Sequence, residues 1–333
     1  MEEITLKTIA TQLGISISTV SRALKNHPDI KESTKKAVYD LAEQLDYEPN
    51  QLAFQLLNKR SNTIGVVVPK ISYALYLQAI PGMAEIAEKN GYQLLICQTD
   101  DNHEKEVRQI QTLLSSRTSG IVLSPSANST SVEHLLKVQR KNVPLVLFNR
   151  DCEEIICSKV IIDNQKAAYE AVSILLSRGR KRIAYLGGPN HLQISHNRLN
   201  GYRKAHADFG IDVDDELVRI ISQEKEDMIK AIHDLFESNI QLDAIVAYSD
   251  QIAQWALVLS KQKGMKIPED LSIIGFYDEP VNELLDPPLS SVSQPAYEMG
   301  VKALELIFKE LNSTRFAFQK IVLESKLIIR GSI

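Results

Sequence analysis

The sequence predicts an α/β protein in two parts: an N-terminal all-α head and a much larger domain of parallel sheets divided into two lobes. Three observations carry this. Apolar residues repeat at helical spacing through the first sixty positions, punctuated by glycine and proline. From Asn62 onward, short continuous apolar runs alternate with helical patterns, which is how parallel strands covered on both faces read. The chain has 333 residues, and the part after the head, about 270 residues, is large for a single open sheet.

The head is built first. Leu6, Ile9, Ala10 and Leu13 lie on one helical face, Thr5 can cap that helix, and Gly14 fits the left-handed position after it. Ser16 is an N-cap for a second helix whose inward side is Val20, Ala23 and Leu24. Asn26-His27-Pro28-Asp29 breaks the pattern. A third helix is expected from Ser33 or Thr34, facing Ala37, Val38, Leu41, Ala42 and Leu45 inward. Two short helices joined by a tight turn and braced by a third make a helix-turn-helix, whose second helix enters the major groove of DNA. The outward positions of that helix are Ile17, Ser18, Ser21 and Arg22. Arg22 suits the paired acceptors of guanine, and Ser18 and Ser21 suit base edges or phosphate. Thr5, Ser16 and Thr19, beside helix N-termini, suit phosphate oxygens. The alternative is a plain three-helix packing module with a solvated Arg22.

Composition neither supports nor opposes a nucleic-acid partner. The net charge is −4, and the first sixty residues carry eight basic and eight acidic side chains, so only charge placement can argue for DNA. The hydrophobic fraction of 44% and charged fraction of 24% are ordinary for a globular protein. No apolar run approaches the roughly 20 residues that span a bilayer. Met1 to Lys7 lacks a basic segment followed by an apolar one, so the cytoplasm is the expected compartment. Cys97, Cys152 and Cys157 form no disulfide framework and lack partners at zinc spacing; neither a metal nor a cofactor is expected.

The stretch Leu6 to Ala10 and Gly14 to Leu24, with its core Ser18-Thr19-Val20-Ser21-Arg22, resembles the head of the lactose-repressor (LacI/GalR) family of bacterial transcription regulators. Leu45 to Asn50 matches that family's approach to its linker, and the resemblance runs essentially end to end. It implies a homodimer on a palindromic operator, controlled by a small effector that is a sugar or sugar derivative. It also implies a two-lobed type I periplasmic-binding-protein-like domain. The boundaries expected are 1–48 for the DNA-binding head and 49–61 for a hinge helix and linker. Residues 62–333 then form the ligand-binding and dimerisation domain, with an N-lobe of about 62–162 and 290–319 and a C-lobe of about 163–289 and 320–333. The chain would cross between lobes near Asp163, Ser290 and Gln319.

In the hinge, Asn50 is a candidate N-cap, and Leu52, Ala53, Leu56 and Leu57 form a stripe on a helix too short to be stable alone. The resemblance implies that two such helices pair over the minor groove, with Leu56 wedged into a base step and Ala53 beside it.

Strands are expected at Ile64–Val68, Gln93–Cys97, Gly120–Leu123, Pro144–Phe148, Lys159–Ile162, Arg182–Leu186, Ala244–Ala247 and Leu271–Phe276. Ligands of such folds bind at the carboxyl ends of strands. Arg198-Leu199-Asn200-Gly201-Tyr202 matches the family's Arg-x-x-Gly-Tyr signature, which places Arg198 in the cleft as a clamp for hydroxyls or an anion. Ser249-Asp250 follows a strand; Asp250 suits sugar hydroxyls or, alternatively, a helix N-cap. Tyr277 departs from the family, whose members usually carry Asp there; it either stacks on a pyranose or fills space. Asp278 contributes to the cleft or stabilises its loop. Gln294 lies on a crossing segment. Tyr73 and Tyr76 after the first strand, and Asn149 and Arg150 after the fourth, are further ligand candidates, with packing or dimerisation as the other role for the tyrosines.

No catalytic set emerges. Gly187-Gly188-Pro189 is not a dinucleotide fingerprint, and the seven histidines form no His-Glu-x-x-His pattern, so an enzyme is not expected. Two other readings share the large fold. One is an exported sugar-binding receptor, which the attached head opposes. The other is a regulator governed mainly by a protein partner. The chain past Leu327-Ile328-Ile329 carries no heptads for a tetramerising coiled coil.

Overall fold

In the computed structural model, the residues described are 4–24, 26–47, 61–222, 224–238, 240–313 and 315–333. The chain divides into two compact units, Met1–Ser61 and Asn62–Ile333.

The first unit holds α1 (Leu6–Leu13), α2 (Ile17–Leu24) and α3 (Glu32–Gln44). Thr5 and Thr8 form a reciprocal capping box on α1, and Gly14, at φ 65°, ends it by returning its N–H to the carbonyls of Ala10 and Thr11. Ile9, Ala10, Val20, Ala23, Val38 and Ala42 form the core. The third helix starts at Glu32, slightly before the expected Ser33 or Thr34, and Ala37 is exposed. Lys35 is buried instead: its stem packs inward while Nζ reaches Glu32 Oε1 at 2.7 Å.

The second unit runs in alternation: β1 (Thr63–Val68), α4 (Ala74–Lys89), β2 (Gln93–Gln98), α5 (His103–Ser115), β3 (Gly120–Leu123), α6 (Glu133–Arg140), β4 (Leu145–Phe148) and β5 (Ser158–Ile162). It continues with α7 (Asn164–Ser177), β6 (Ile183–Gly187), α8 (Gln193–Asp208), β7 (Val218–Ile220), α9 (Lys225–Glu237), β8 (Ala244–Ala247), α10 (Asp250–Gln262) and β9 (Ser272–Phe276). The last elements are β10 (Ser290–Ser293), α11 (Ala296–Leu311), β11 (Lys320–Leu323) and β12 (Lys326–Ile328). Helix α4 runs through Pro81.

Two six-stranded sheets result, ordered β11-β5-β4-β3-β1-β2 and β12-β10-β9-β8-β6-β7. All pairings are parallel except β10 with β12. Central strands β1, β3, β4, β6, β8 and β9 are buried almost throughout, as continuous apolar runs require.

Two of the three lobe crossings need correction. The first falls at Asp163, the N-cap of α7. Ser290 is not a crossing: β10 pairs with β9 in the C-lobe sheet, so the chain leaves that lobe only at Gln294-Pro295, before α11 packs on α4. Gln319 is not one either. β11 pairs with β5 in the N-lobe sheet, and the return is at Glu324-Ser325. Residues 290–293 therefore belong to the C-lobe and 320–323 to the N-lobe. The error has a physical source. Ser290-Ser291-Val292-Ser293 lacks the apolar run of a buried strand, because its hydroxyls are satisfied internally: Ser290 Oγ accepts from Arg330 N at 2.8 Å and Ser291 Oγ donates to Asp250 Oδ1 at 2.6 Å.

Candidate functional site

In the head, Ser16 caps α2: its Oγ accepts the Thr19 N–H at 3.1 Å and meets the hydroxyls of Ser18 and Thr19 at 2.7 and 2.8 Å. Thr5, Ser16, Ile17, Ser18 and Arg22 are exposed, while Thr19 and Ser21 are half-buried. Ile17, an apolar side chain at the start of α2, is 48% exposed and stands outside the head's core. The arrangement offers one face of a helix with a cation near its end and hydroxyls about its first turn. Asn50, Ala53 and Leu56 lie outside the described residues.

In the second unit a cleft opens where the strands of both lobes end. Tyr73 and Tyr76 follow β1, Asn149 and Arg150 follow β4, Tyr248 and Ser249 follow β8, and Tyr277 and Glu279 follow β9; all line one pocket with Ala74, Leu75 and Gln251. Six of the ten expected ligand residues therefore line one cavity: Tyr73, Tyr76, Asn149, Arg150, Ser249 and Tyr277. Tyr248, Gln251 and Glu279 were missed, although Tyr248 directly ends a strand and was legible on that ground.

On the N-lobe wall, the Tyr76 hydroxyl meets Ser124 Oγ at 2.9 Å and accepts Asn149 Nδ2 at 3.3 Å. Its ring stacks with Tyr73 at 6.2 Å and stands edge-on to Phe148 at 5.7 Å. Burial pushes the Tyr73 phenol well above its ordinary range, with Asp101 adding to the effect, so it stays a neutral donor. The Arg150 guanidinium is matched: both its terminal nitrogens reach the Asp101 carboxylate, and Nη1 also donates to the Pro125 carbonyl at 3.0 Å.

Arg198, on the C-lobe wall, is fully buried. The signature explains how it gets there. A side chain at Gly201 would stand 2.2 Å from the Gln165 carbonyl oxygen, so the missing Cβ lets α8 lie close against α7. Tyr202 pins the same face by donating to the Ile183 carbonyl at 2.8 Å. One turn earlier, Arg198 reaches the start of α7 and donates Nε to Asn164 Oδ1 at 3.0 Å. Nη1 donates to the Tyr248 carbonyl at 2.5 Å, and Nη2 has no partner. The guanidinium carbon sits 4.0 Å from the ring centre of Phe276, 4.9 Å from Tyr248 and 5.1 Å from Tyr277. Its two hydrogen bonds go to neutral oxygens, and three aromatic rings lie about it.

Asp250 and Asp278 do not line this pocket, and their carboxylates are bonded to the protein itself. Both Asp250 oxygens are occupied by the protein, one by Ser291 Oγ and the other by the Glu279 N–H at 2.8 Å. Burial raises its carboxyl to about 7 against those hydrogen bonds. It is not the N-cap either: Ser249 is, and Asp250 is the first residue of α10. Asp278 Oδ1 accepts Arg330 Nη1 at 2.7 Å, so it stabilises the loop. Tyr277 holds φ at 99°, a conformation unfavourable for a side chain with a Cβ, and Asn149 and Asp278 are left-handed too. Gln294 is buried on the crossing segment, and neither end of its amide has a partner.

Several buried polar atoms without a partner lie in or behind this cleft. Tyr73 OH and Asn149 Oδ1 belong to lining residues, Arg198 Nη2 lies behind lining aromatics, and Gln294 lies where the chain crosses. Buried polar groups of native proteins are nearly always paired, and leaving one unpaired costs about 1–3 kcal/mol. Such a cluster at strand ends is chemically suited to a polar ligand.

Comparison with known proteins agrees with this geometry. Residues 5–50 match the model of bacterial regulatory proteins of the lacI family, and residues 61–329 match that of periplasmic binding proteins and the sugar-binding domain of the LacI family. The HTH-type transcriptional repressor CytR of Escherichia coli strain K12 is 32% identical over 98% of this chain and 96% of its own. The transcriptional regulator CelR in complex with cellobiose is 26% identical with a TM-score of 0.76, covering 99% of both chains. The lac repressor dimer bound to operator, 21% identical over 99% of both chains, shares the fold at a TM-score of 0.86. The chain belongs to the LacI family of DNA-binding transcriptional regulators, a helix-turn-helix head joined to a sugar-binding-type domain of two lobes.

Proposed function

We propose that this regulator is a cytoplasmic, homodimeric repressor without enzymatic activity, whose grip on a palindromic operator is set by a polyhydroxylated small molecule in the cleft. The observation that carries the effector reading is Arg198: a buried cation with one nitrogen unpaired and three aromatic rings about it. A sugar offers what that wall lacks, an oxygen acceptor for Nη2 and a ring face for Tyr73 or Tyr277. The relative crystallised with cellobiose supports the class. Among the described residues no helix is long and apolar enough to cross a membrane.

On DNA, Arg22 reads a guanine from the major groove, Ser18 and Ser21 meet base edges or phosphate, and Thr5, Ser16 and Thr19 hold the backbone. Ile17 supplies an apolar contact. Asn50, Ala53 and Leu56 form the hinge that enters the minor groove when two copies are held together. One head makes few contacts, so two on a palindrome are needed for useful affinity.

The deciding experiment is calorimetry of neutral sugars and sugar phosphates against wild type and Arg198→Ala, with operator binding followed by fluorescence anisotropy. A compound that binds wild type, changes operator affinity and is lost in the variant establishes the reading. If compounds that alter operator affinity bind both proteins equally, the cleft is not the effector site.

A further inference from the structure

Away from the cleft, α5 and α6 bring three metal-ligating side chains together. His103 opens α5, Glu106 lies three residues on along the same face, and His134 lies near the start of α6. One donor atom from each lies within 4.8 Å of the others. The local sequence gives only His-x-x-Glu; the third residue arrives through the fold, which is why no metal was expected from spacing.

The arrangement is organised and mostly buried. Glu106 is fully buried, and its carboxylate is fixed on one oxygen by the Ser126 N–H at 2.6 Å. The other oxygen meets His134 Nε2 at 2.7 Å. His103 Nδ1 meets Ser129 Oγ at 3.2 Å, and the two imidazoles stand edge to face with centres 5.2 Å apart. Hydrogen bonds of this kind orient the ligands of metal sites. The protein leaves the cluster incomplete: His134 is 6% exposed, and its Nδ1 has no partner. His103 is half-buried and borders a groove between the two helices, through which water and ions have access.

We propose that His103, Glu106 and His134 bind a divalent transition metal of the zinc class, one donor atom from each, with water from the groove completing the shell. Two imidazoles and one carboxylate are a donor set of open zinc sites, and the Glu106 charge offsets part of the ion's own. The N-terminus of α5 and the basic side chains Lys137, Arg140 and Lys141 on the groove oppose a cation, with Glu133, paired to Arg140, as the groove's own acid, so affinity comes from direct donor bonds. The site also braces the cleft. Glu106 holds Ser126, whose neighbour Pro125 gives its carbonyl to Arg150.

The test uses the full chain, stripped with a chelator and titrated with Zn²⁺ against a chromophoric competitor. Wild type is expected to bind one equivalent per chain. His103→Ala, which leaves the Glu106–His134 pair intact, is expected to weaken it by at least ~10–100-fold, the loss seen when even an outer partner is removed. Co²⁺ loaded into wild type should give a visible absorption spectrum that His103→Ala abolishes. No binding by wild type, or equal Zn²⁺ affinity and an unchanged Co²⁺ spectrum in His103→Ala, overturns the proposal. Glu106→Gln should weaken binding also; if it fails to fold, His103→Ala alone decides.

Discussion

The two walls of the cleft carry one arginine each and treat it in opposite ways. Arg150 of the N-lobe faces Asp101 with both terminal nitrogens, so its charge is neutralised before any ligand arrives. Arg198 of the C-lobe bonds to neutral oxygens, lies among ring faces and has one nitrogen without a hydrogen-bond partner. A charge already matched holds a wall in shape; an unmatched one is held ready for something that enters. On the proposed reading, the same residue type serves architecture on one side and recognition on the other. Neither role follows from exposure, since both side chains are buried.

The sharpest break in this contrast is Arg150→Ala. It leaves Asp101 without its partner in a largely buried place, where breaking such a pair costs about 3–5 kcal/mol. The ligand domain should melt markedly lower by calorimetry; an unchanged melting temperature removes the architectural role. Arg198→Ala should do the reverse. Losing a charge-assisted contact to the effector is expected to raise Kd on the order of 100-fold, about 2.7 kcal/mol. Its melting temperature without ligand should hold or rise, because an unpaired buried cation has gone; a large loss of stability would make Arg198 structural as well. Gly201→Ala drives a methyl toward the Gln165 carbonyl and should cost about 1–3 kcal/mol of stability, carrying Arg198 out of place. A variant as stable as wild type, with full effector affinity, would show that the close approach of α7 and α8 does not set the arginine.

The smallest effect concerns the carboxylate beside this wall. Asp250 is raised to about 7 in the folded chain, above its unfolded value, so the native state holds a proton that the unfolded chain has released. Stability from this group is therefore present at acid pH and lost as pH rises through about 7. Between pH 6 and 8 the loss should be about 1 kcal/mol, and Asp250→Asn should flatten that part of the profile. If urea titrations show the same slope for both proteins, Asp250 is ionised throughout and its burial is better compensated than its contacts indicate.

Local chemistry was legible, and tertiary satisfaction was not. Thr5, Gly14 and Ser16 act on neighbours within a few residues, and the structure places their caps where the sequence did. Strands filled with Val, Ile and Leu announced themselves, as did the residues at their ends. Asp250 misled because its partners lie 29 and 41 positions away, and no spacing rule connects them. Strand β10 was overlooked because hydroxyls fill it, and β7 and β12, at three residues each, are too short to show an alternation. Tyr277 was visible as a departure, but its left-handed backbone was not.

The shared strands have a consequence for how the molecule is made. The sheet begun at Thr63 is not finished until Lys320–Leu323 joins it, and the sheet begun at Ile183 waits for Lys326–Ile328 and for Ser332, which is bound to Ser290 and Ile273. On the ribosome the head, a unit with its own core, can fold once its sixty residues have emerged, whereas both lobes stay unsealed until residues 320–332 have been made. Polypeptides cut short by stalled translation would then carry a finished head on an open, protease-sensitive body.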